Sequence, residues 1–329
     1  MKLVTFEFVC PMGRIRRLGA LSGRYIVDLN FAFTLLLAEQ EETRAYELAE
    51  AEIPPTMLDF LKTGINGRIV AQQTLDGLQE SGYLKPSTRG PNEERVVWKQ
   101  SEVRLVTPLP NPNSLRDFLA FEKHTRTGYD RRGQEFPKLW FELPVYYKGN
   151  HRTLIGPDAN VYWPSFTEKF DYELELCCII GKAGMNISAE EAHEYIAGYA
   201  IMNDFSARDI QMQEMSLRLG PSKGKDFATA VGPWIVTPDE IKDIRNLTMT
   251  ARINGEEWSR GNSGESHWTF EQMIAHVSMD EMLYPGDILG SGTVGTGCGY
   301  ELDRWVQPED VIELEITGLG VLRNRVVRK

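Results

Sequence analysis

Cysteine and positive charge are both scarce in this sequence of 329 residues. Its four cysteines, Cys10, Cys177, Cys178 and Cys298, show no CxxC or Cys/His spacing, which predicts buried free thiols in a reducing compartment. The 36 Lys and Arg residues are outnumbered by 47 Asp and Glu residues, giving a formal net charge of -11. Without a visible basic patch, this balance repels phosphate backbones and anionic lipids, so we expect no nucleic-acid partner.

Long apolar runs are missing as well. No run approaches the ~20 residues that span a bilayer, and the start MKLVTFEF lacks the apolar region of a signal peptide. We therefore expect a cytoplasmic protein without a membrane partner. With 42% hydrophobic and 25% charged residues, the chain is typical of a globular protein with one large domain or two smaller ones.

The pattern of apolar residues changes along the chain. MKLVTFEFV and RYIVDL alternate like strands, and residues 31–84 show helical spacing with a break at Pro54-Pro55. After the polar segment KPSTRGPNEER, strand-like runs dominate, among them DYELELCCIIG, YAIMND, NLTMTARI and VIELEITG. We predict a small N-terminal α+β domain with its linker over residues 1–95 and a β-rich domain over residues 96–329.

Three local signals predict helix starts and a turn in the second part. Ser188 with Glu191, and Ser206 with Asp209, have the spacing of capping boxes, which predicts helices over EEAHEYIAGY and ARDIQMQEM. The Asn-Gly pair at 254–255 predicts a tight hairpin.

Two acids interrupt the apolar run DYELELCCIIG. Residues two apart share a face of a strand, so Glu173 and Glu175 would lie side by side. One interpretation is a solvent-exposed strand face. The other is a partly buried pair, whose mutual repulsion has to be offset by a proton or a cation such as a hard divalent metal ion with oxygen ligands.

A second group of polar residues follows the strand that ends at Asp204. On the helix behind it, Arg208 and Gln211 are three apart and share a face close to Asp204. In LGPSKGKDF, the glycine-flanked Lys225 is either a solvated loop residue or one that approaches a ligand closely.

The segments DYELEL, MNDFSARDIQ, LGPSKGKDF and YPGDILGSGTVG, in this order and spacing, resemble the fumarylacetoacetate hydrolase superfamily. The resemblance covers roughly residues 100–329, and the N-terminal part resembles the module of the longer members. It implies an α+β, β-rich fold, in which a mixed β-sheet roll follows a small α+β domain, and a homodimer. It also implies a metal ion, Mg²⁺ with Ca²⁺ or Mn²⁺ as alternatives. The implied metal ligands are Asp117, Glu173, Glu175 and Asp204.

The same resemblance assigns the catalytic roles. His124 would be the general base, oriented by a carboxylate for which Glu301 is the best match and Glu122 the alternative. The donors that would hold a developing oxyanion are Lys225, Gln211 and Arg208.

Residues implied to bind the substrate come from several segments, namely Tyr147, Thr293 and Arg132. The glycine-rich loop around Thr293 lacks the lysine of a nucleotide-binding loop. Leu119 and Met215 stand where the hydrolase itself has tyrosines, so we expect a more apolar pocket and a substrate other than fumarylacetoacetate.

These residues predict a metal-dependent hydrolase that cleaves a carbon–carbon bond in a 1,3-dicarbonyl compound such as an acylpyruvate, a small keto acid. The superfamily leaves two alternatives open, an oxaloacetate-type decarboxylase and a hydratase or isomerase of 2-hydroxy-dienoates. A protein that binds a metal or ligand without turnover is the remaining alternative.

Overall fold

The computed structural model describes residues 1–328, which are rich in strands. The strands are β1 (Lys2–Cys10), β2 (Gly13–Ser22), β3 (Tyr25–Asp28), β4 (Val97–Lys99), β5 (Arg104–Leu105), β6 (Ser114–Phe118), β7 (Tyr146–Lys148), β8 (Leu154–Ile155), β9 (Asn160–Tyr162), β10 (Phe170–Asp171), β11 (Leu174–Ile180), β12 (Ile196–Asn203), β13 (Ser206–Ala207), β14 (Thr229–Val236), β15 (Thr248–Ile253), β16 (Glu256–Asn262), β17 (Asp287–Gly290), β18 (Val311–Ile316) and β19 (Gly320–Val327).

Helices are fewer and are concentrated in the N-terminal third. They are α1 (Leu29–Glu39), α2 (Ala45–Glu52), α3 (Met57–Lys62), α4 (Gly64–Glu80), α5 (Glu122–Arg131), α6 (Arg208–Ser216), α7 (Phe270–Val277) and α8 (Gly299–Leu302). The prediction of a β-rich α+β fold is confirmed. No helix within residues 1–328 is both long and apolar enough to cross a membrane.

Most of the strands belong to two sheets. The larger has the strand order β4-β3-β2-β1-β14-β12-β11-β17-β6-β7, and the second has the order β16-β15-β18-β19-β9. A hydrophobic core joins them, in which Leu174 and Cys178 of β11 belong to the same cluster as Ile312 and Leu314 of β18. All seven residues of β11 are buried, as expected for a central strand covered on both faces.

The N-terminal strands extend the large sheet. β1 pairs with β14 in an antiparallel ladder in which Leu3 lies opposite Ile235. Leu18 also shares a hydrophobic cluster with Ile179 and Val231. The strands within residues 1–95 therefore belong to the large sheet, and the domain boundary near residue 95 stays a prediction.

The local predictions have mixed outcomes. The helices after residue 28, the break at the double proline and the hairpin between β15 and β16 are confirmed. Cys177, Cys178 and Cys298 are free and buried, whereas Cys10 is free but partly exposed.

The two helix predictions have different outcomes, because ARDIQMQEM forms α6 as predicted, whereas EEAHEYIAGY forms no α-helix. The Ser188 hydroxyl does bond the backbone and side chain of Glu191, but only a short 3₁₀ turn follows, because the apolar residues after it pair with β11 as β12. Ser206 lies in β13, and α6 begins at Arg208 without a side-chain cap. The Asp209 carboxylate instead accepts hydrogen bonds from Thr167 and from the Glu168 amide.

Candidate active site

Neighbouring strands of the large sheet bring the predicted acids together at one edge. Asp117 lies near the end of β6, opposite Gly290 of β17, while Glu175 in β11 lies opposite Met202 of β12. Asp204 directly follows β12. The strand pairing therefore gathers acids that are far apart in the sequence.

The two acids of the DYELEL segment are buried, with 3% exposure for Glu173 and none for Glu175. The interpretation as a solvent-exposed strand face is therefore wrong. One carboxylate oxygen from each of Asp117, Glu173 and Glu175 lies within 4.8 Å of the others. These three residues form the carboxylate cluster.

Charge within the carboxylate cluster is only partly balanced. Burial raises the pKa of Glu173, but the positive charges of Arg208 and Lys225 outweigh it and lower the pKa to about 2. Burial and the negative charges of Asp117 and Glu173 raise the pKa of Glu175 well above its ordinary value. Burial and the charge of Asp204 likewise raise the pKa of Asp117.

The cluster fits a hard divalent cation. Among the described residues, Oε2 of Glu175 is buried and has no hydrogen-bond partner, and leaving such an oxygen unpaired is costly. Carboxylate oxygens are the ligands that Mg²⁺, Ca²⁺ and Mn²⁺ prefer. A cation bound here would supply the missing partner and offset the repulsion that raises the two pKa values.

Asp204 lies beside the cluster with its own partners. Its Oδ2 accepts a hydrogen bond of 2.6 Å from the Tyr147 hydroxyl and lies 2.6 Å from Nζ of Lys225, while the Thr229 hydroxyl donates to its Oδ1 at 3.3 Å. The ammonium of Lys225 also binds Glu173. The role of Asp204 as a metal ligand stays a prediction.

Lys225 is buried, with 4% exposure, and is not a solvated loop residue. Burial lowers its pKa, but the carboxylates of Asp204 and Glu173 outweigh this effect and raise it. The side chain therefore remains a charged donor at the cluster.

The predicted base and one of its candidate partners are in contact. His124, on α5, places Nδ1 2.8 Å from Oε2 of Glu301, which belongs to α8. Burial raises the pKa of Glu301, but the attraction and hydrogen bond of His124 outweigh it, so the pKa is lowered. The Thr296 amide and the Cys298 thiol also donate to this carboxylate, at 3.0 and 3.4 Å. Glu122 instead bonds Arg126 on the same helix at 2.5 Å.

The glycine-rich loop contacts the cluster through one backbone amide and one side-chain hydroxyl. The Gly292 amide donates to Oδ1 of Asp117 at 3.1 Å, and the Thr293 hydroxyl donates to Oε1 of Glu175 at 3.1 Å. A Cβ on Gly292 would lie 2.3 Å from the Phe118 carbonyl oxygen, and its φ of 77° is also unfavourable for other residues. The loop can approach only because this residue is glycine.

Asp171 is a site residue that the sequence reasoning missed. This fully buried carboxylate accepts hydrogen bonds from the amides of Gly299 and Tyr300, at 2.8 and 3.0 Å, and from Nε of Arg208, at 2.8 Å. Arg208 in turn lies 2.8 Å from Oε1 of Glu173. Asp171 thus connects the start of α8 with the arginine beside the carboxylate cluster. The sequence did contain a signal for Asp171. It lies two residues before Glu173, so it continues the alternation of acids formed by Glu173 and Glu175.

A cavity of about 340 Å³ opens over these groups. The predicted site residues that line it are Asp117, His124, Arg132, Tyr147, Glu173, Glu175, Arg208, Gln211, Lys225 and Thr293. Asp204 and Glu301 are not part of the lining and contact it through Tyr147, Lys225 and His124. Lining residues without a sequence prediction include Tyr129, Trp140, Val145, Met212, Pro221 and Tyr300.

Comparison with known proteins defines the class of protein. The family model described as fumarylacetoacetate (FAA) hydrolase C-terminal matches residues 114–327, so the chain belongs to this family. The resemblance seen in the sequence is confirmed, and the chain is an enzyme of this superfamily.

Two curated relatives and one solved structure illustrate the similarity. The mitochondrial oxaloacetate tautomerase FAHD2A of Bos taurus is 29% identical over 99% of this chain and 92% of its own length. The oxaloacetate tautomerase YisK of Bacillus subtilis is 30% identical over 88% of this chain and 91% of its own. Maleylpyruvate hydrolase from Sphingobium sp. SYK-6, in complex with manganese(II) and pyruvate, has 23% identity and a TM-score of 0.67, covering 100% of this chain and 99% of that one.

Proposed function

We propose that the enzyme interconverts the keto and enol forms of a 2-oxo acid, with His124 as the proton carrier. The observation that carries this proposal is the contact of 2.8 Å between His124 and Glu301, with His124 lining the same cavity as the carboxylate cluster. Keto–enol exchange needs a base near the carbon next to a carbonyl group and donors for the oxygen. Both kinds of group meet in this cavity.

The hydrogen bond to Glu301 sets the protonation of the imidazole. Because the lowered pKa of Glu301 keeps its carboxylate ionised and able only to accept, Nδ1 of His124 carries a proton. In the neutral ring, Nε2 then has the free lone pair. Nε2 would take a proton from the carbon next to the carbonyl, as that C–H electron pair forms the carbon–carbon double bond, and would return the proton to the carbonyl oxygen.

Donors around the cavity would hold the oxygen while charge builds on it. Lys225 offers a buried ammonium, and Gln211, whose Oε1 accepts from Arg208 at 3.1 Å, has its amide nitrogen left to donate. Tyr147 and Thr293 would contact the substrate carboxylate or its carbonyl. Arg132, which the sequence predicted to bind substrate, lines the cavity, but its Nε already donates to Gln134.

The residues that would hold the cation are Asp117, Glu173 and Glu175, with Asp204 adjoining. Mg²⁺ is the proposed ion, with Mn²⁺ and Ca²⁺ as alternatives. When bound, the cation supplies Lewis-acid polarisation of the substrate carbonyl. The relatives named as oxaloacetate tautomerases support the reaction, and the similar hydrolase with manganese(II) and pyruvate supports this class of ligand.

A second candidate is the carbon–carbon hydrolysis of an acylpyruvate. The specific observation that favours it is the intact contact between His124 and Glu301, because a base oriented in this way can also deprotonate a water molecule. Decarboxylation needs no activated water and is less favoured by this geometry. Isomerisation of a 2-hydroxy-dienoate would use the same proton carrier. We further propose a homodimer and a cytoplasmic enzyme, although the bovine relative is named as mitochondrial.

The reactions are separated by one set of assays. The decay of enol-oxaloacetate is followed by its ultraviolet absorbance, and pyruvate release is followed from oxaloacetate and from acylpyruvates, each with Mg²⁺ and with EDTA. Metal-dependent enol decay without pyruvate supports the tautomerase. Metal-dependent pyruvate release from acylpyruvates supports the hydrolase, and release from oxaloacetate alone supports a decarboxylase.

A further inference from the structure

Apolar side chains are left open to solvent along part of the cavity. Leu119, Val145, Met212 and Met215 all line it, yet their exposed fractions are 37%, 41%, 38% and 42%. We call these four residues the apolar wall. Exposed apolar side chains gathered around a concave site are typical of a surface that a ligand covers.

The apolar wall is continuous with the proposed catalytic groups along α6. This helix begins at Arg208, which forms an ion pair of 2.8 Å with Glu173, and continues through Gln211 to Met212 and Met215. Residues three and four apart share a helix face, so these side chains form one row. At about 1.5 Å per residue, Met215 lies roughly 10 Å further along the helix axis than Arg208.

The remainder of the apolar wall extends a strand pair of the large sheet. Phe118 at the end of β6 lies opposite Tyr146 of β7, and Asp117 lies opposite Tyr147. Leu119 and Val145 come one step beyond this antiparallel pair. The apolar wall is therefore fixed to the same strands that position Asp117 and Tyr147.

Charge is sparse in this part of the cavity. Apart from the carboxylate cluster and the side chains of His124, Arg208 and Lys225, the lining residues include one charged side chain, Arg132. Its Nε donates to Oε1 of Gln134 at 3.0 Å, and its guanidinium lies 4.8 Å from the centre of the Tyr129 ring. Arg132 is thus already engaged by its neighbours.

We propose that the apolar wall is a subsite for an uncharged alkyl or aryl tail of the 2-oxo acid substrate. This inference rests on the proposed function, which places the 2-oxo acid head at the carboxylate cluster. The cavity of about 340 Å³ falls in the range of roughly 300–1,000 Å³ typical of sites that bury larger ligands. A compact dicarboxylic acid would leave the four apolar side chains in contact with water.

The first test is a substrate series. The kcat/KM of keto–enol exchange is measured for pyruvates carrying an acetyl, butanoyl, hexanoyl or benzoyl group. It is also measured for a pyruvate carrying a fumaryl group, which has a charged end. The expected result is an increase of about two- to fourfold for each added methylene, with the fumaryl compound the poorest substrate. Equal values along the series, or a preference for the fumaryl compound, would overturn the proposal.

A matched pair of methionine variants locates the effect. Met215→Gln keeps a similar side-chain volume but adds a polar amide, and it is expected to lower the hexanoyl-to-acetyl ratio of kcat/KM about five- to tenfold. Met279→Gln is the control, because Met279 is 59% exposed and does not line this cavity. Its ratio should equal that of the wild type, and an equal fall in both variants would contradict the assignment.

A binding measurement separates this inference from the proposed reaction. Calorimetry with the Mg²⁺-loaded protein measures the affinities of pyruvate, 2-oxohexanoate, 2-oxooctanoate and 2-oxoglutarate. Tighter binding with alkyl length supports the subsite even if no compound is turned over, in which case only the proposed reaction fails. Turnover without any dependence of affinity or kcat/KM on the tail would remove the subsite and leave the reaction standing.

Discussion

His124 and Glu301 are 177 positions apart in the chain, and Nδ1 of the imidazole lies 2.8 Å from Oε2 of the carboxylate. One residue comes from α5 and the other from α8, which follows the glycine-rich loop. The Thr296 amide and the Cys298 thiol hold the carboxylate from the loop side. The pair is thus positioned by the fold, and we predict that it acts as one unit.

A double-mutant cycle tests this unit. His124→Ala is expected to lower kcat by about 10²- to 10⁴-fold, because Nε2 carries the proton. Glu301→Gln should lower kcat substantially, since a neutral amide does not hold the imidazole in the required protonation state. The double variant should be little worse than His124→Ala alone, because the two residues act together.

Two controls accompany the cycle. His193→Ala changes an exposed histidine outside the cavity and should leave kcat unchanged. Calorimetry should show that His124→Ala still binds Mg²⁺. Multiplicative losses in the double variant would show that His124 and Glu301 act independently.

Without a bound cation, the carboxylate cluster is predicted to lower the stability of the fold. Without metal, Glu175→Gln is expected to stabilise the protein by about 1–2 kcal/mol, because it removes a buried carboxyl whose ionisation is opposed by its neighbours. The pKa of Glu175 is raised in the folded state. Ionisation of Glu175 therefore lowers the stability of the fold only when the pH rises above the ordinary pKa of a glutamate. The gain should therefore be larger at pH 8 than at pH 4.5. Denaturant unfolding in EDTA measures it.

The same variant should lose its response to metal. Mg²⁺ is expected to raise the Tm of the wild type but to have much less effect on Glu175→Gln. Glu190→Gln, an exposed control, should behave like the wild type in both experiments. Equal Mg²⁺ responses in all three proteins would place the metal elsewhere.

Asp171 is predicted to be a positioning residue. Asp171→Asn replaces an acceptor of backbone and guanidinium hydrogen bonds by an amide whose NH₂ faces donors, so Arg208 and the start of α8 should shift. We expect kcat to fall about 10- to 100-fold with little change in KM. Asp303→Asn, an exposed change close to α8, is the control. If loss of activity in Asp171→Asn followed only from unfolding, kcat per folded molecule would be unchanged.

Parts of the fold and site could be predicted because their signals are local. Alternation placed Glu173 and Glu175 on one strand face, and helical spacing located α1 to α4. The end of an apolar run placed Asp204 after a strand. The resemblance to a known family supplied His124 and Glu301, whose segments carry little pattern of their own.

Other features depend on contacts between distant segments. Nothing near Leu3 indicates that β1 pairs with β14, and the pairing makes the N-terminal strands part of the large sheet. The capping pattern at Ser188 predicted a helix, but the apolar residues that follow form β12, which pairs with β11 on one side and β14 on the other. The alternation of acids did not reveal burial, which follows from the position of β11 in the centre of the sheet.

The most direct test of the central claim is deuterium exchange. Oxaloacetate is incubated in D₂O with the Mg²⁺-loaded enzyme, and deuterium uptake at the carbon next to the carbonyl group is followed by NMR. We predict uptake well above the uncatalysed rate for the wild type and a return to that rate for His124→Ala. Equal uptake by the wild type and His124→Ala would contradict the role of His124 as the proton carrier.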